Sequence, residues 1–194
     1  MNIDSAGRFH EHATTAHGMA PGAFRAGGRG ETIRHSVSPC VLGHVLVAAT
    51  GRGICHVALG DDPAGLHGAL RQRFPQAAFI GTDAVFDGWL GQVLAAMDLP
   101  RTSSSLPLDI RGTAFQHSVW QALCAIPSGS TASYRQVAER IGRTGAARAV
   151  ARACASNTLA LLVPCHRVVR EDGGLGGYRW GIERKQQLLD RERG

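Results

Sequence analysis

The sequence contains no apolar run that approaches the roughly 20 residues a membrane-spanning helix needs. Its N-terminus also lacks the charged-then-apolar layout of a secretory signal. Five cysteines occur, at positions 40, 55, 124, 154 and 165, and no two of them form a Cys-x-x-Cys pair. An odd number without such pairs argues against a disulfide framework and favours a reducing compartment. We therefore expect a cytoplasmic protein that binds no membrane.

Metal ligands at useful spacing are also scarce. Cys40 and Cys55 lie near His35, His44 and His56, but their spacing is not a convincing zinc pattern. The sequence therefore predicts no metal site and no cofactor.

What is present is a basic chain of ordinary globular composition. Its 194 residues suit one or two domains, and 44% of them are hydrophobic. The formal net charge is +6 at pH 7, which favours an acidic partner such as nucleic acid.

The first part of the chain predicts a tail and then a small α/β domain. Residues 1–32 show little apolar periodicity and are predicted to be a disordered tail or linker remnant. Residues 33–105 are predicted to form the α/β domain and a linker, which begins at Asp98. The expected elements are strands 41–49 and 54–59 in a hairpin, helix 64–74, strand 77–80 and helix 83–97.

Residues 106–194 predict a second, mostly helical domain that opens with an apolar segment at 106–110. Thr113 and Gln116 form a capping-box signature before a helix that ends near Ile126. Ser133 then precedes a helix over 134–141. A glycine-containing turn at 142–145 leads to a helix over 146–156, which completes the outline of a helix-turn-helix.

The last of these helices combines small and cationic residues. Arg148 and Arg152 lie four residues apart among alanines, which makes one thin, positively charged helix face. The DNA minor groove is only about 6 Å wide, so a helix of small residues suits it. Close packing inside the protein is the alternative explanation for so many alanines.

A rigid, mostly apolar segment holds the most reactive residues. The apolar run 159–163 predicts a buried strand or close-packed segment that ends at Pro164. Cys165 and His166 follow, and a thiolate with a basic neighbour is a nucleophile. A buried, inert cysteine is the alternative, and these two residues alone leave the choice open.

Pro164–Val169 resembles the acceptor motif of the O6-alkylguanine-DNA alkyltransferases. The similarity extends from about Ile33 to the C-terminus and includes the segments 106–115 and 177–181. It is closest to the Ada branch of the family, in the C-terminal half of those proteins. The resemblance implies a ribonuclease H-like first domain, a helix-turn-helix in the second, and DNA repair by direct reversal. The expected partner is duplex DNA carrying O6-alkylguanine or, less well, O4-alkylthymine.

The resemblance also assigns catalytic roles. Cys165 accepts the alkyl group once and irreversibly, because the thioether product has no carbonyl for water to attack. His166 takes the thiol proton through a water, and Glu192 orients the imidazole, with Glu183 as the second choice. Asn157 is expected to be a hinge that ties the DNA-binding helix to the acceptor segment.

The same resemblance places the helix over 146–156 in the minor groove, with Ala147 and Arg152 among its DNA-binding residues. Arg148 matches the arginine that fills the gap left by the extruded nucleotide. Tyr134 matches the tyrosine that helps turn the target phosphate and borders the pocket. The expected complex contains one protein monomer.

A glycine-dense loop over 171–178 is implied to close over the flipped guanine. Backbone groups near Val168 then read the base edge, and Tyr178 lies beside O6. Some relatives have serine where this chain has Arg179, so the match does not define the tolerance for bulky alkyl groups.

Two other function classes fit parts of the sequence. A cysteine hydrolase would use Cys165, His166 and Asn157, but it gives no role to the helix-turn-helix arginines. A non-catalytic DNA-binding module would use those arginines and would not need Cys165.

Overall fold

The computed structural model of the chain describes residues 27–98 and 106–194. The tail predicted for the first residues therefore lies largely outside the described residues, as does most of the predicted linker. The contacts divide the described chain into two compact units. One contains 27–95 and 106–111, and the other contains 96–98 and 112–194.

The first unit contains a four-stranded mixed sheet with strand order β3-β2-β1-β4. Its strands are β1 (Thr32–Cys40), β2 (Gly43–Thr50), β3 (Gly53–Gly60) and β4 (Ala78–Ile80). Strands β1, β2 and β3 pair antiparallel, and β4 pairs with β1 in parallel. The predicted hairpin is confirmed as β2 and β3, whereas β1 was not predicted.

A turn over 27–31 lies directly before the predicted start of the first domain at residue 33. Residues 27–31 already form a hydrogen-bonded turn in which the N–H of Glu31 donates to the carbonyl of Gly28. Glu31 also accepts a hydrogen bond from Ala78 through its carbonyl, which leads directly into the β1–β4 pairing.

Both helices predicted for residues 33–105 are present, as α1 (Pro63–Arg73) and α2 (Ala84–Asp98). The Asp62 carboxylate accepts hydrogen bonds from the first free N–H groups of α1, with Pro63 at the start of the helix. Leu66 and Leu70 of α1 are buried, as are Phe86, Val93 and Met97 of α2.

Segment 106–110 belongs to the first unit and not to the second, where the sequence analysis placed it. Pro107 accepts a hydrogen bond from Ile54, and Asp109 donates one back to the Ile54 carbonyl. The buried Asp109 carboxylate also accepts the hydroxyl proton of Thr50 at 2.7 Å. These long-range bonds to β3 and the end of β2 leave no local signature in the sequence.

The second unit is mostly helical, as predicted. Its elements are α3 (Ala114–Cys124), β5 (Ala132–Ser133), α4 (Tyr134–Arg140), α5 (Ala147–Ala155), a short 3-10 helix (Cys165–Arg167), β6 (Val168–Val169) and α6 (Ile182–Arg193). Capping boxes begin α3 at Thr113 and α4 at Ser133, so both sequence-based starts are confirmed. The helices share a core of Val119, Trp120, Leu123, Val137, Val150, Leu188 and Leu189.

Turns, and not a strand, make up most of segment 159–163. Leu161 has a φ of 67°, which is uncommon for a residue with a side chain. The following β6 pairs in parallel with β5, Val168 opposite Ala132. Because β5 ends at the cap of α4, this pairing places the acceptor segment beside the start of that helix.

Among the described residues, no helix is both long and apolar enough to cross a membrane.

Candidate functional site

Cys165 lies at the start of the 3-10 helix and is 5% exposed. Its Sγ accepts a hydrogen bond from Nδ2 of Asn157, with 3.2 Å between the two atoms. An amide N–H directed at sulfur favours the thiolate over the thiol. The two residues that the sequence paired as nucleophile and hinge are therefore in direct contact.

Asn157 also fixes the backbone between itself and Cys165. Its Oδ1 accepts the N–H of Leu159 at 2.9 Å, and its Nδ2 donates to the carbonyl of Val163 at 2.8 Å. Asn157 lies two residues after the end of α5 and is fully buried. One side-chain amide thus ties the end of α5 to both the acceptor segment and the sulfur.

His166 and Glu192 form a buried pair behind the cysteine. The His166 Nε2 atom lies 2.8 Å from Oε1 of Glu192, and both side chains are 1% exposed. An ionised carboxylate only accepts hydrogen bonds, so Nε2 carries the hydrogen and Nδ1 is left as the basic nitrogen. Among the described residues, no protein group hydrogen-bonds to that Nδ1.

Arg167 is the site residue to which sequence reasoning gave no role. Its guanidinium binds the Glu192 carboxylate through Nε at 3.0 Å and Nη2 at 2.8 Å. Its Nη1 donates to the carbonyl of Ile126 at 2.6 Å. The sequence signal that could have identified Arg167 is its position within the acceptor motif Pro164–Val169. Glu183, the second choice as orienting acid, is exposed in the first turn of α6.

The pKa values of this cluster favour a carboxylate beside a neutral imidazole. Burial acts to raise the pKa of Glu192, but hydrogen bonds from His166 and Arg167 outweigh it and lower that pKa to about 2. Burial lowers the pKa of His166, against the opposing effect of Glu192. A neutral imidazole at pH 7 is able to accept a proton.

Burial also raises the pKa of Cys165. The hydrogen bond from Asn157 and the positive charge of Lys185 act in the opposite direction. Thiol ionisation therefore depends on the few polar groups that reach the sulfur, since little solvent does.

Tyr134 and the glycine-dense loop over 171–178 lie close together. Tyr134 is the first residue of α4, and a Cβ added to Gly176 would lie 3.0 Å from its hydroxyl oxygen. Burial raises the pKa of Tyr134. Glycine at position 176, where φ is 66°, therefore permits the close approach of loop and tyrosine.

Tyr178, the last residue of this loop, and Arg179, the residue after it, contact different neighbours. The Tyr178 ring lies edge-on to His166, with 6.4 Å between ring centroids. Arg179 donates from Nη1 to the carbonyl of Ala155, the last residue of α5, at 2.9 Å. Arg179 therefore connects the pocket segment to the end of that helix. Val168 follows the 3-10 helix and is buried.

The remaining sequence-predicted residues lie along α5. Ala147 begins the helix, and both Arg148 and Arg152 are exposed on it. Trp120 of α3 donates from Nε1 to the carbonyl of Ala153 at 3.0 Å, which anchors the C-terminal turn. The helix therefore offers two arginines to solvent while its end is held by the core.

Within 27–98 and 106–194, no group of three or more histidine, cysteine or acidic residues is arranged to hold a metal ion.

Comparison with known proteins shows what the chain is similar to. Residues 114–194 match the family model described as 6-O-methylguanine DNA methyltransferase, DNA binding domain. The chain is 36% identical over 148 residues to the inducible methylated-DNA–protein-cysteine methyltransferase of Bacillus subtilis, covering 76% of this chain and 83% of that protein. It is also 50% identical over 184 residues to the bifunctional transcriptional activator/DNA repair enzyme Ada of Escherichia coli. That match covers 95% of this chain and 52% of Ada, so the chain spans about half the length of this relative.

A solved structure gives the same relationship in three dimensions. Mycobacterium tuberculosis OGT, crystallised in complex with DNA, superposes with a TM-score of 0.66 at 35% identity, covering 84% of this chain and 92% of that one. Shared sequence over most of a relative's length and a shared fold lead to one conclusion. The chain belongs to the methylated-DNA–protein-cysteine methyltransferase family.

Proposed function

We propose that the protein repairs DNA by moving the alkyl group of O6-alkylguanine, and less readily of O4-alkylthymine, onto the sulfur of Cys165. The observation that carries the proposal is the buried arrangement around that sulfur. Asn157 donates to it, and the next residue, His166, is paired with Glu192. The names of the relatives assign this class of reaction to proteins with the same fold.

The proposed chemistry begins with removal of the thiol proton. Nδ1 of His166 accepts that proton through a water, while Nε2–H stays bonded to Glu192. The sulfur then attacks the alkyl carbon, and the carbon–oxygen bond breaks with its electron pair moving to the purine. Guanine regains the proton that the thiol lost. A thioether on Cys165 remains, and because water has no carbonyl to attack there, each molecule acts once.

DNA reaches this site through α4 and α5, which we assign as a helix-turn-helix. Arg148 and Arg152 are exposed on α5, whose other residues are mostly small. A narrow cationic helix suits the minor groove, and one monomer is enough to bind. Arg148 stacks in the gap left by the extruded nucleotide, and Arg152 contacts phosphate.

The flipped base enters beside Tyr134, under the glycine-dense loop. Tyr134 meets that loop at Gly176, and Tyr178 lies edge-on to His166. Backbone groups at Val168 read the base edge, and the Arg179 bond to α5 couples loop position to the DNA-binding helix. The ribonuclease H-like character of the first unit and a cytoplasmic site of action remain predictions.

The direct test identifies the alkylated residue. After incubation with duplex DNA carrying O6-methylguanine, mass spectrometry is expected to find one added methyl group on the tryptic peptide that contains Cys165. Cys165→Ser abolishes the transfer, whereas Cys40→Ser, in the first unit, leaves it intact. A methyl group on another residue, or repair by Cys165→Ser, contradicts the proposal.

Replacing Glu192 by glutamine tests the orienting role. Glu192→Gln removes the charge that holds the His166 tautomer, so the single-turnover rate at pH 7 is expected to fall on the order of 10²-fold. Glu183→Gln, on the same helix but exposed, is the matched control and keeps the wild-type rate. Equal effects of the two substitutions would refute the assignment.

Stability of the same variant should depend on pH in a defined direction. The pKa of Glu192 is lowered to about 2 from an ordinary 4.5, so its ionised form stabilises the fold above pH 4.5. That contribution is lost as the pH falls from 4.5 towards 2. In urea unfolding, the difference in free energy of unfolding between wild type and Glu192→Gln should therefore become smaller as the pH falls from 4.5 towards 2. A difference in free energy of unfolding that stays constant with pH would mean that the fold does not favour the ionised form of Glu192 over the protonated form.

Arg148 is expected to act on base extrusion and not on the chemistry. Arg148→Ala should slow methyl transfer from duplex DNA by about tenfold or more. Without the arginine side chain, nothing stacks in the gap that the extruded nucleotide leaves, so the extruded state is less stable. Transfer from the free O6-methylguanine base should be unchanged. Arg191→Ala removes the same charge from an exposed site on α6 and is the control. Equal slowing on both substrates would place Arg148 in the chemistry or the fold.

A further inference from the structure

Lysine is almost absent from this protein. Of 21 lysine and arginine residues, 20 are arginine and one is Lys185. This single lysine lies on α6 and is 0% exposed. Arginine keeps its charge in nearly every environment, whereas lysine presents a compact ammonium group whose pKa shifts on burial. The one lysine is therefore buried, and burial is the condition under which the pKa of lysine shifts and that of arginine does not.

The Lys185 ammonium group connects two segments of the pocket. Its Nζ donates to the carbonyl of Val168, the first residue of β6, at 2.5 Å. It also donates to the carbonyl of Leu175, which lies in the glycine-dense loop. One group therefore sets the separation between the strand that follows the acceptor cysteine and the loop beside Tyr134.

The charge of Lys185 has no carboxylate partner within the described part of the chain. A buried ammonium group without a counter-charge is strongly destabilising. An ionised Cys165 sulfur favours the protonated form of Lys185. In return, the Lys185 charge lowers the pKa of Cys165 against the effect of burial.

We propose that Lys185 is a positioning residue of the acceptor pocket, which fixes the glycine-dense loop against β6 and stabilises the Cys165 thiolate through its charge. This inference deepens the proposed alkyl transfer and rests on it. Lys185 acts through the sulfur and the two carbonyls, without contact with the alkyl group. The geometry behind the second role is the backbone of Val168, which accepts a hydrogen bond from Lys185 and donates its own N–H to the carbonyl of Cys165. Because the ammonium group is one residue's backbone away from the acceptor cysteine, we expect thiol reactivity and lysine ionisation to be linked.

Other ionisable groups face the same pair from the surrounding elements. They are Cys154 of α5, Tyr134 of α4, His166 of the 3-10 helix, and Tyr178 and Arg179 after the loop. Burial lowers the pKa of Lys185 to about 8, so most molecules keep the ammonium form at pH 7. Above pH 8 the lysine loses its charge, and its effect on the thiolate disappears.

Thiol labelling against pH tests the link without using DNA. The rate of iodoacetamide addition to Cys165 is followed by peptide mass spectrometry in wild type, Lys185→Met and Lys185→Arg. Lys185→Met is expected to raise the apparent pKa of Cys165 by about one unit, which lowers labelling at pH 7 about tenfold. Lys185→Arg restores the charge and should move the profile back towards wild type.

Gln187→Met is the matched control, since it introduces the same side chain at an exposed position of the same helix. It should label as wild type does. A folded Lys185→Met protein with the wild-type pH profile would overturn the proposal. So would a Lys185→Arg profile no closer to wild type than that of Lys185→Met.

If Lys185→Met does not fold, the coupling between Lys185 and Cys165 is tested by titrating the lysine itself. Because the chain has one lysine, ¹³C-lysine labelling gives one ε-carbon signal, whose shift against pH reports the pKa of Lys185. In Cys165→Ala the thiolate is gone, so that pKa should fall on the order of one unit below wild type. An unchanged pKa would show that the lysine does not sense the sulfur.

These readouts separate the inference from the proposed function. Absence of methyl transfer from DNA by the wild-type protein would refute the alkyltransferase proposal, and the labelling and titration data would still report on Lys185. Normal transfer together with uncoupled Lys185 and Cys165 would refute only the role of the lysine.

Discussion

The site depends first on one buried side-chain amide. Asn157 bonds to the backbone at Leu159 and Val163 and to the sulfur of Cys165, so three points of a tight turn share one group. Leu161, between them, has a backbone conformation that costs energy for a residue with a side chain. The Asn157 bonds help to offset that cost, because an apolar residue at position 157 would leave buried backbone groups unpaired.

The charged groups of the site are supported from one helix. Helix α6 contributes Glu192 to His166 and Arg167, and Lys185 to the carbonyls of Val168 and Leu175. Buried charges are tolerated only when each is paired or hydrogen-bonded. The position of α6 is therefore set by polar requirements as well as by its buried leucines. The same helix therefore contacts both the imidazole, through Glu192, and the loop, through Lys185.

Local signals in the sequence predicted five of the six α-helices in the described residues, whereas α6 was not predicted. Asp62, Thr113 and Ser133 cap helices where expected, because a side-chain cap is a property of a few adjacent residues. Strand β1 was missed since most of its residues are polar and its pairing partners lie elsewhere in the chain. The apolar run at 159–163 was read as a possible strand, yet it forms turns, because burial alone does not define a strand.

The sequence identified the reactive side chains of the candidate site but not the long-range hydrogen bonds that connect them. Cys165 and His166 stand together in the sequence, whereas Glu192 was identified only through the family resemblance. The bonds from Arg167 to Glu192 and from Lys185 to Val168 join residues 25 and 17 positions apart. No periodicity or short motif encodes such contacts. They arise only when α6 packs against the acceptor segment.

The most direct test of this account is the capacity of the protein for methyl groups. A fixed amount of protein is incubated to completion with increasing excesses of duplex DNA carrying O6-methylguanine, and the repaired guanine is counted. The account predicts a plateau at one methyl group removed per protein molecule. Repair that continues in proportion to added DNA, well beyond one equivalent, would contradict permanent capture by a single sulfur.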